Sequence, residues 1–252
     1  SLDIGNDHNQ EEIPSFFNRR IGESAKGNGL KVRSEGVALT GRDEELSLLS
    51  KRASCLRTDQ YVGSVLIEGD AGFGKTALLT TFLNDFHSAF SSFATALCSN
   101  ALELEQEIPF HAWSGIMCSY FGIAHDDNVG ISKHKILSHL ADTPIANLYP
   151  LLNPFLPFKF DDTEETKAME PTGRYLKTLD FIVSLLSQGT AFDDNGLILV
   201  IDDAQWCDSS SWNLISQVNM RAQNVMLIVT MRQMEGRQNV SHYKSLLNSP
   251  TT

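Results

Sequence analysis

Apolar positions along this chain change their spacing several times, and each spacing predicts an element. Residues 1 to about 35 are polar and aperiodic apart from Ile13, Phe16 and Phe17, which predicts a linker or arm. Residues 36–252 read as the folded domain. Thr40-Gly41-Arg42-Asp43-Glu44-Glu45 opens a helix: Thr40 can cap it, and the acidic residues stand in its first turn, where the helix dipole favours them. Leu46, Leu49 and Leu56 supply its buried side. Val62 to Glu68 is a short apolar run of the kind that forms a buried strand. Leu78, Phe82 and Phe86 recur at four-residue spacing with Leu79 and Leu83 beside them, which predicts an amphipathic helix. Ser92 to Cys98 is the next strand.

From about 101 to 190 the spacing is helical. One stripe carries Trp113, Ile116, Met117 and Tyr120 within Phe110 to Phe121; another carries Tyr175, Leu179, Ile182, Val183 and Leu186. Pro144, Pro150, Pro154 and Pro157 break the stretch between them, and both stripes read as core. Leu197 to Ile201 is a continuous apolar run ending in Asp202-Asp203, the pattern of a parallel strand covered on both faces. Asp208 caps a helix from Ser209 to about Asn219, and Asn224 to Thr230 is a fourth strand. Strands alternating with helices predict an α/β fold with a mostly parallel sheet and a large helical insert between the second and third strands.

Composition narrows the class. With 252 residues, 42% apolar and 20% charged, the chain can bury one large core. Its formal charge of −11 disfavours a general grip on nucleic-acid backbone. The densest acidic stretch, Asp161-Asp162-Thr163-Glu164-Glu165, reads as a solvated loop. Cys55, Cys98, Cys118 and Cys207 stand far apart, and His111, His134 and His139 lack metal-ligand spacing, so neither a zinc site nor a disulfide framework is expected. The cysteine pattern suits a reducing, cytoplasmic setting, and no apolar run reaches membrane-spanning length. The first residue is Ser1 rather than Met, so the chain is expected to be a piece of a longer protein.

The candidate chemistry sits at two strand ends. Gly69-Asp70-Ala71-Gly72-Phe73-Gly74-Lys75-Thr76 matches G-x-x-x-x-G-K-[ST], a phosphate-binding loop, or Walker A. Glycines let backbone N–H groups turn inward around a phosphate, and the following helix adds its free amides and dipole. In that reading Lys75 reaches the β- and γ-phosphates of ATP and the Thr76 hydroxyl binds Mg²⁺. An ordinary glycine turn before a helix is the plain alternative. The strand ending in Asp202-Asp203 has the form of a Walker B strand: Asp202 holds Mg²⁺, directly or through water, and Asp203 orients or deprotonates the attacking water. Thr230, at the tip of the fourth strand, can sense the γ-phosphate through water; Arg232 either shares that role or faces solvent.

Two further stretches carry a resemblance. Leu39-Thr40-Gly41-Arg42-Asp43-Glu44-Glu45 resembles the GR-x-x-E opening of STAND and AAA-like regulatory ATPases. Ile201-Asp202-Asp203-Ala204-Gln205-Trp206-Cys207-Asp208, followed by Ser211-Trp212, resembles their extended Walker B, and Thr230-Met231-Arg232 resembles their sensor 1 region. Together these cover about 37 to 235. The nearest likeness is the ATPase region of soluble, type 10-like adenylate cyclases. The resemblance implies a P-loop NTPase three-layer sandwich with the additional-strand order of RecA and AAA proteins. It also implies Thr40, Gly41 and Arg42 near the adenine, and Thr230 and Arg232 near the phosphates. The activity it implies is an ATP–Mg²⁺ switch that hydrolyses ATP to ADP and controls other domains of its polypeptide or a homo-oligomer. Readings of other classes are a nucleotide-binding scaffold without turnover, a small-molecule kinase, and an origin-recognition-like ATPase. The family's fifth strand and helical lid are expected to be truncated, unless residues 236–252 supply part of the strand, and a piece without its lid is expected to hydrolyse poorly.

Overall fold

A computed structural model describes residues 41–58, 62–90, 94–188 and 196–232. The chain runs through α1 (Asp43–Ser54), β1 (Ser64–Glu68), α2 (Lys75–Phe90), β2 (Ala94–Asn100), α3 (His111–Tyr120), α4 (Val129–Leu140), α5 (Glu164–Lys167), α6 (Pro171–Leu186), β3 (Gly196–Asp202), α7 (Ser209–Arg221) and β4 (Val225–Met231). The four described strands are all parallel, in the order β1-β4-β3-β2. β4, the last of the described strands, sits between β1 and β3, so the phosphate-loop strand and the acidic strand are separated by one strand. That is the P-loop NTPase fold with the additional strand of AAA proteins. The expected fifth strand falls on residues outside the described ones, as do the polar arm and Thr40.

The two faces of the sheet bury different partners. Alternation along β3 sends Leu197, Leu199 and Ile201 to one face and Ile198 and Val200 to the other. The first face packs on the insert, through Trp113, Ile116 and Met117 of α3 and Leu179, Ile182 and Leu186 of α6, and on Trp212 and Ile215 of α7. The second packs on Leu49 and Ala53 of α1 and Leu78, Phe82 and Phe86 of α2. Three layers result, with the active edge at the C-terminal ends of the strands.

Several expectations need correcting in place. β2 lies two residues further along than the run Ser92 to Cys98 suggested, because its pairing with β3 carries Asn100 level with Asp202. Asp203 is outside β3, in a left-handed conformation at φ 55. α1 starts at Asp43 with Arg42 in the capping position and no side-chain cap; Gly41, at φ +76, turns the chain into it. The acidic stretch at 161–165 is built rather than loose: Thr163 and Thr166 form a reciprocal capping box at α5, and Asp162 pairs with Arg174 at 2.6 Å. Pro150 and Pro154 lie inside a 3₁₀ segment, Ala146–Phe155, rather than in an α-helix.

Candidate active site

The glycine loop bends because its backbone demands it. Gly72 and Gly74 take φ +84 and +79, a region closed to most side chains, and a Cβ at either would point into open space. Gly69 carries no such strain, and a Cβ there would only touch Phe73 at 3.7 Å. The loop is anchored at its base by Gly69 N–H donating to Met231 O at 3.2 Å, so the fourth strand holds the loop that follows the first. α2 starts directly at Lys75, so the first amides of that helix face the loop's mouth without partners inside the helix. Beside the loop is a cavity of about 450 Å³ lined by Arg42, Ile67, Glu68, Asp70, Phe73 and Leu78, together with Gly69, Gly74 and Lys75.

Two side chains at this mouth are engaged with the loop itself. Lys75 Nζ donates to Gly69 O at 2.7 Å and Asp70 O at 3.1 Å. Arg42 forms an ion pair with Glu45 at 2.6 Å and donates to Phe73 O at 3.3 Å, which ties the start of α1 to the loop's crown. The hydrogen bond from Arg42 to Glu45 is the main reason the half-exposed Glu45 carboxyl is held below its usual range.

Across the mouth, Thr76 Oγ1 donates to Asp202 Oδ2 at 3.1 Å. This contact joins residues that stand on different elements and far apart in the chain. The other oxygen, Oδ1, accepts from the Thr230 hydroxyl and from Asp203 N–H, the latter at 3.1 Å. Thr230 is fully buried, and its hydroxyl also accepts from Asp203 N–H at 3.1 Å. One carboxylate oxygen is thus consumed by the protein, and the other is aimed at Thr76. Such an arrangement suits a hard divalent cation, which takes oxygen donors and completes its shell with water or phosphate. Beneath it, burial first and the Asp202 charge second push the Cys98 thiol up to about 12, so it stays protonated.

The structure separates the remaining candidates. Asp203 Oδ1 accepts from Gln205 Nε2 at 2.8 Å. Thr230 stands behind Asp202 rather than on the cavity lining. The side chain of Arg232 is exposed, while its backbone N–H donates to Gln205 Oε1 at 3.0 Å. Ala71 and Gly72 are exposed on the loop, and Gly41 lies just before Arg42. Residue patterns did not single out Gln205, which is 4% exposed. Its mark in the sequence is its place in the Ala204-Gln205-Trp206 stretch of the extended Walker B resemblance, which gave it no role of its own. Glu68, exposed at the end of β1 and lining the cavity, was also overlooked, because the apolar run before it read simply as strand.

The described residues hold no cluster of three or more His, Cys, Asp or Glu suited to a metal, so a cation here depends on water or phosphate oxygens for the rest of its shell. No described helix is long and apolar enough to cross a membrane.

Residues 38–229 match the family model of the AAA ATPase domain. Among curated proteins no relative matches the chain. A chain of the Drosophila ORC structure bound to DNA aligns over 81% of this chain and 86% of its own, at 14% identity and a TM-score of 0.35, a likeness too loose to transfer any property.

Proposed function

The chain belongs to the AAA ATPase domain family, and from that premise we propose that it is an ATP–Mg²⁺ binding and hydrolysing switch module of a larger regulatory protein. The contact that carries this reading is Thr76 Oγ1 to Asp202 Oδ2 at 3.1 Å, two oxygen donors converging at the mouth of a glycine loop. Magnesium, when bound there, supplies positive charge that neutralises the β- and γ-phosphates. Thr76 and Asp202 are the residues that would hold it.

The amides of the loop beyond Gly69, whose own N–H is taken by Met231 O, and those at the start of α2 bind phosphate oxygens, with the helix dipole favouring their charge. Lys75 leaves the carbonyls of Gly69 and Asp70 and turns to the phosphates, exchanging neutral acceptors for charged ones. Asp203 takes the proton of the attacking water or orients that water; its carboxylate is one methylene shorter than a glutamate's and needs firm orientation. Gly41 and Arg42 border the base. Thr230 acts on the nucleotide through Asp202, and the exposed Arg232 is available to the γ-phosphate side.

Nucleotide state reaches other domains, or further copies of the chain, through the β4 tip and the insert, which matches the signalling role implied by the resemblance to soluble adenylate cyclases. A reducing cytoplasmic setting accompanies that role.

The test is titration of ATP into the protein by calorimetry, with Mg²⁺ or with EDTA, alongside a phosphate-release assay. Wild type should bind ATP more tightly with Mg²⁺. Lys75→Ala should lose affinity on the order of a hundredfold, the worth of charge-assisted hydrogen bonds to phosphate. Asp203→Asn should bind ATP normally and release no phosphate. Unchanged affinity in Lys75→Ala would end the proposal; normal binding with no wild-type turnover would leave a nucleotide-binding scaffold in its place.

A further inference from the structure

We infer that Gln205 is a positioning residue that orients the Asp203 carboxylate and couples it to the tip of β4. The inference rests on the proposed reading of Asp203 and deepens it. Asp203 has left β3 and occupies a left-handed backbone conformation, φ 55, uncommon for a non-glycine residue although aspartate takes it more readily than most. Gln205 stands beside it. It sits in the 3₁₀ turn Ala204–Trp206 directly after Asp203, and it is 4% exposed. A buried amide must satisfy both its ends, and here each end goes to a different part of the site. Nε2 donates to Asp203 Oδ1 at 2.8 Å; Oε1 accepts from Arg232 N–H at 3.0 Å.

Two consequences follow from the chemistry. With Oδ1 held by the amide, the carboxylate is fixed in rotation, and Oδ2 is the oxygen presented to a water. The second contact binds the carboxylate's anchor to the main chain just past Met231, whose carbonyl accepts from Gly69 N–H at 3.2 Å. One side chain therefore links Asp203, the end of β4 and the base of the phosphate loop. A displacement of the loop on nucleotide binding is passed to Asp203 through this amide, and a displacement of Asp203 is passed back to the segment leaving β4.

The two ends can be cut separately. Gln205→Glu keeps an oxygen for Arg232 N–H but replaces the donor facing Asp203 with an acceptor. Gln205→Leu removes both contacts at similar volume. The experiment measures, for wild type, both variants and Asp203→Asn, ATP affinity by calorimetry, single-turnover hydrolysis, and amide hydrogen exchange at residues 230–232 with and without ATP.

In Gln205→Glu, hydrolysis is expected to fall roughly ten- to a hundredfold while ATP affinity stays within about twofold and exchange at Arg232 stays slow. In Gln205→Leu, hydrolysis falls as far, exchange at Arg232 quickens, and the ATP-dependent change at 230–232 is lost. A wild-type rate in Gln205→Glu beside an inactive Asp203→Asn overturns this inference alone. ATP affinity falling in parallel with hydrolysis in both variants also overturns it, because that is the mark of a merely structural amide. A wild-type rate in Asp203→Asn overturns the reading of Asp203 and this inference with it.

Discussion

Thr230 is a strand-tip hydroxyl turned to the acidic strand and not among the residues lining the cavity. It is fully buried and its hydroxyl donates a hydrogen bond to Asp202 Oδ1, which leaves Oδ2 for Thr76 and the proposed ion. Thr230→Val keeps the shape and removes only the hydroxyl. It should cost about 1–3 kcal/mol of stability, the worth of a hydrogen bond to a charged acceptor. The gain in ATP affinity from Mg²⁺ should shrink roughly tenfold, while affinity in EDTA stays the same. Calorimetric titrations in both buffers check this, and an unchanged Mg²⁺ dependence refutes it. His139 of α4 makes a different point. Its ring packs edge-on against Tyr120 and Phe121 at 5.5 Å, and burial lowers its pKa below the ordinary 6.5. The unfolded chain therefore takes up this proton more readily, so stability is full above about pH 6.5 and declines as pH falls through the histidine range. Melting temperatures between about pH 7 and pH 5 should drop less for His139→Gln than for wild type; parallel curves would exclude His139 as a source of the decline.

Elements here are placed by their ends as much as by their stripes. α7 starts where Asp208 accepts from Ser211 N–H at 2.9 Å and from its hydroxyl at 2.5 Å, an acidic cap legible in the sequence and found as read. This cap closes the turn that begins at Asp203, so it fixes the far side of the segment holding Gln205. Asp208→Ala should cost about 1 kcal/mol, seen in urea unfolding. The same cap read failed at α1. A threonine three residues ahead of an acidic turn looked sufficient, but Gly41 takes the left-handed turn and Arg42 occupies the cap position, with its side chain committed to Glu45 and Phe73. That commitment depends on the phosphate loop, a partner that no local pattern could supply. Helical stripes were legible in α3 and α6 because both lie against one continuous core, where every third or fourth residue must be apolar.

Over the whole molecule, the large insert is part of the body that carries the site. Trp113 of α3 is fully buried and donates to Ser211 O at 3.2 Å, so the insert grips α7 just after its cap. The alternating residues of β3 and β4 feed two separate cores, one on each face of the sheet. Charge belongs to this scale as well. A formal −11 should keep the chain off duplex DNA near 0.15 M salt, and retention that weakens steeply with salt would contradict this.

The sequence by itself determined the strands and the longer helical stripes, the mostly parallel sheet, the glycine loop and the acidic strand, because each depends on spacing or on a short local motif. Only the tertiary structure decided which residues meet. Strand order places β4 between β1 and β3, and this puts Thr230 behind Asp202, ties Gly69 to Met231 and carries Gln205 between Asp203 and Arg232. Apart from the Asp203–Gln205 pair, those contacts join positions distant along the chain, and a one-dimensional pattern has no term for distance across a sheet.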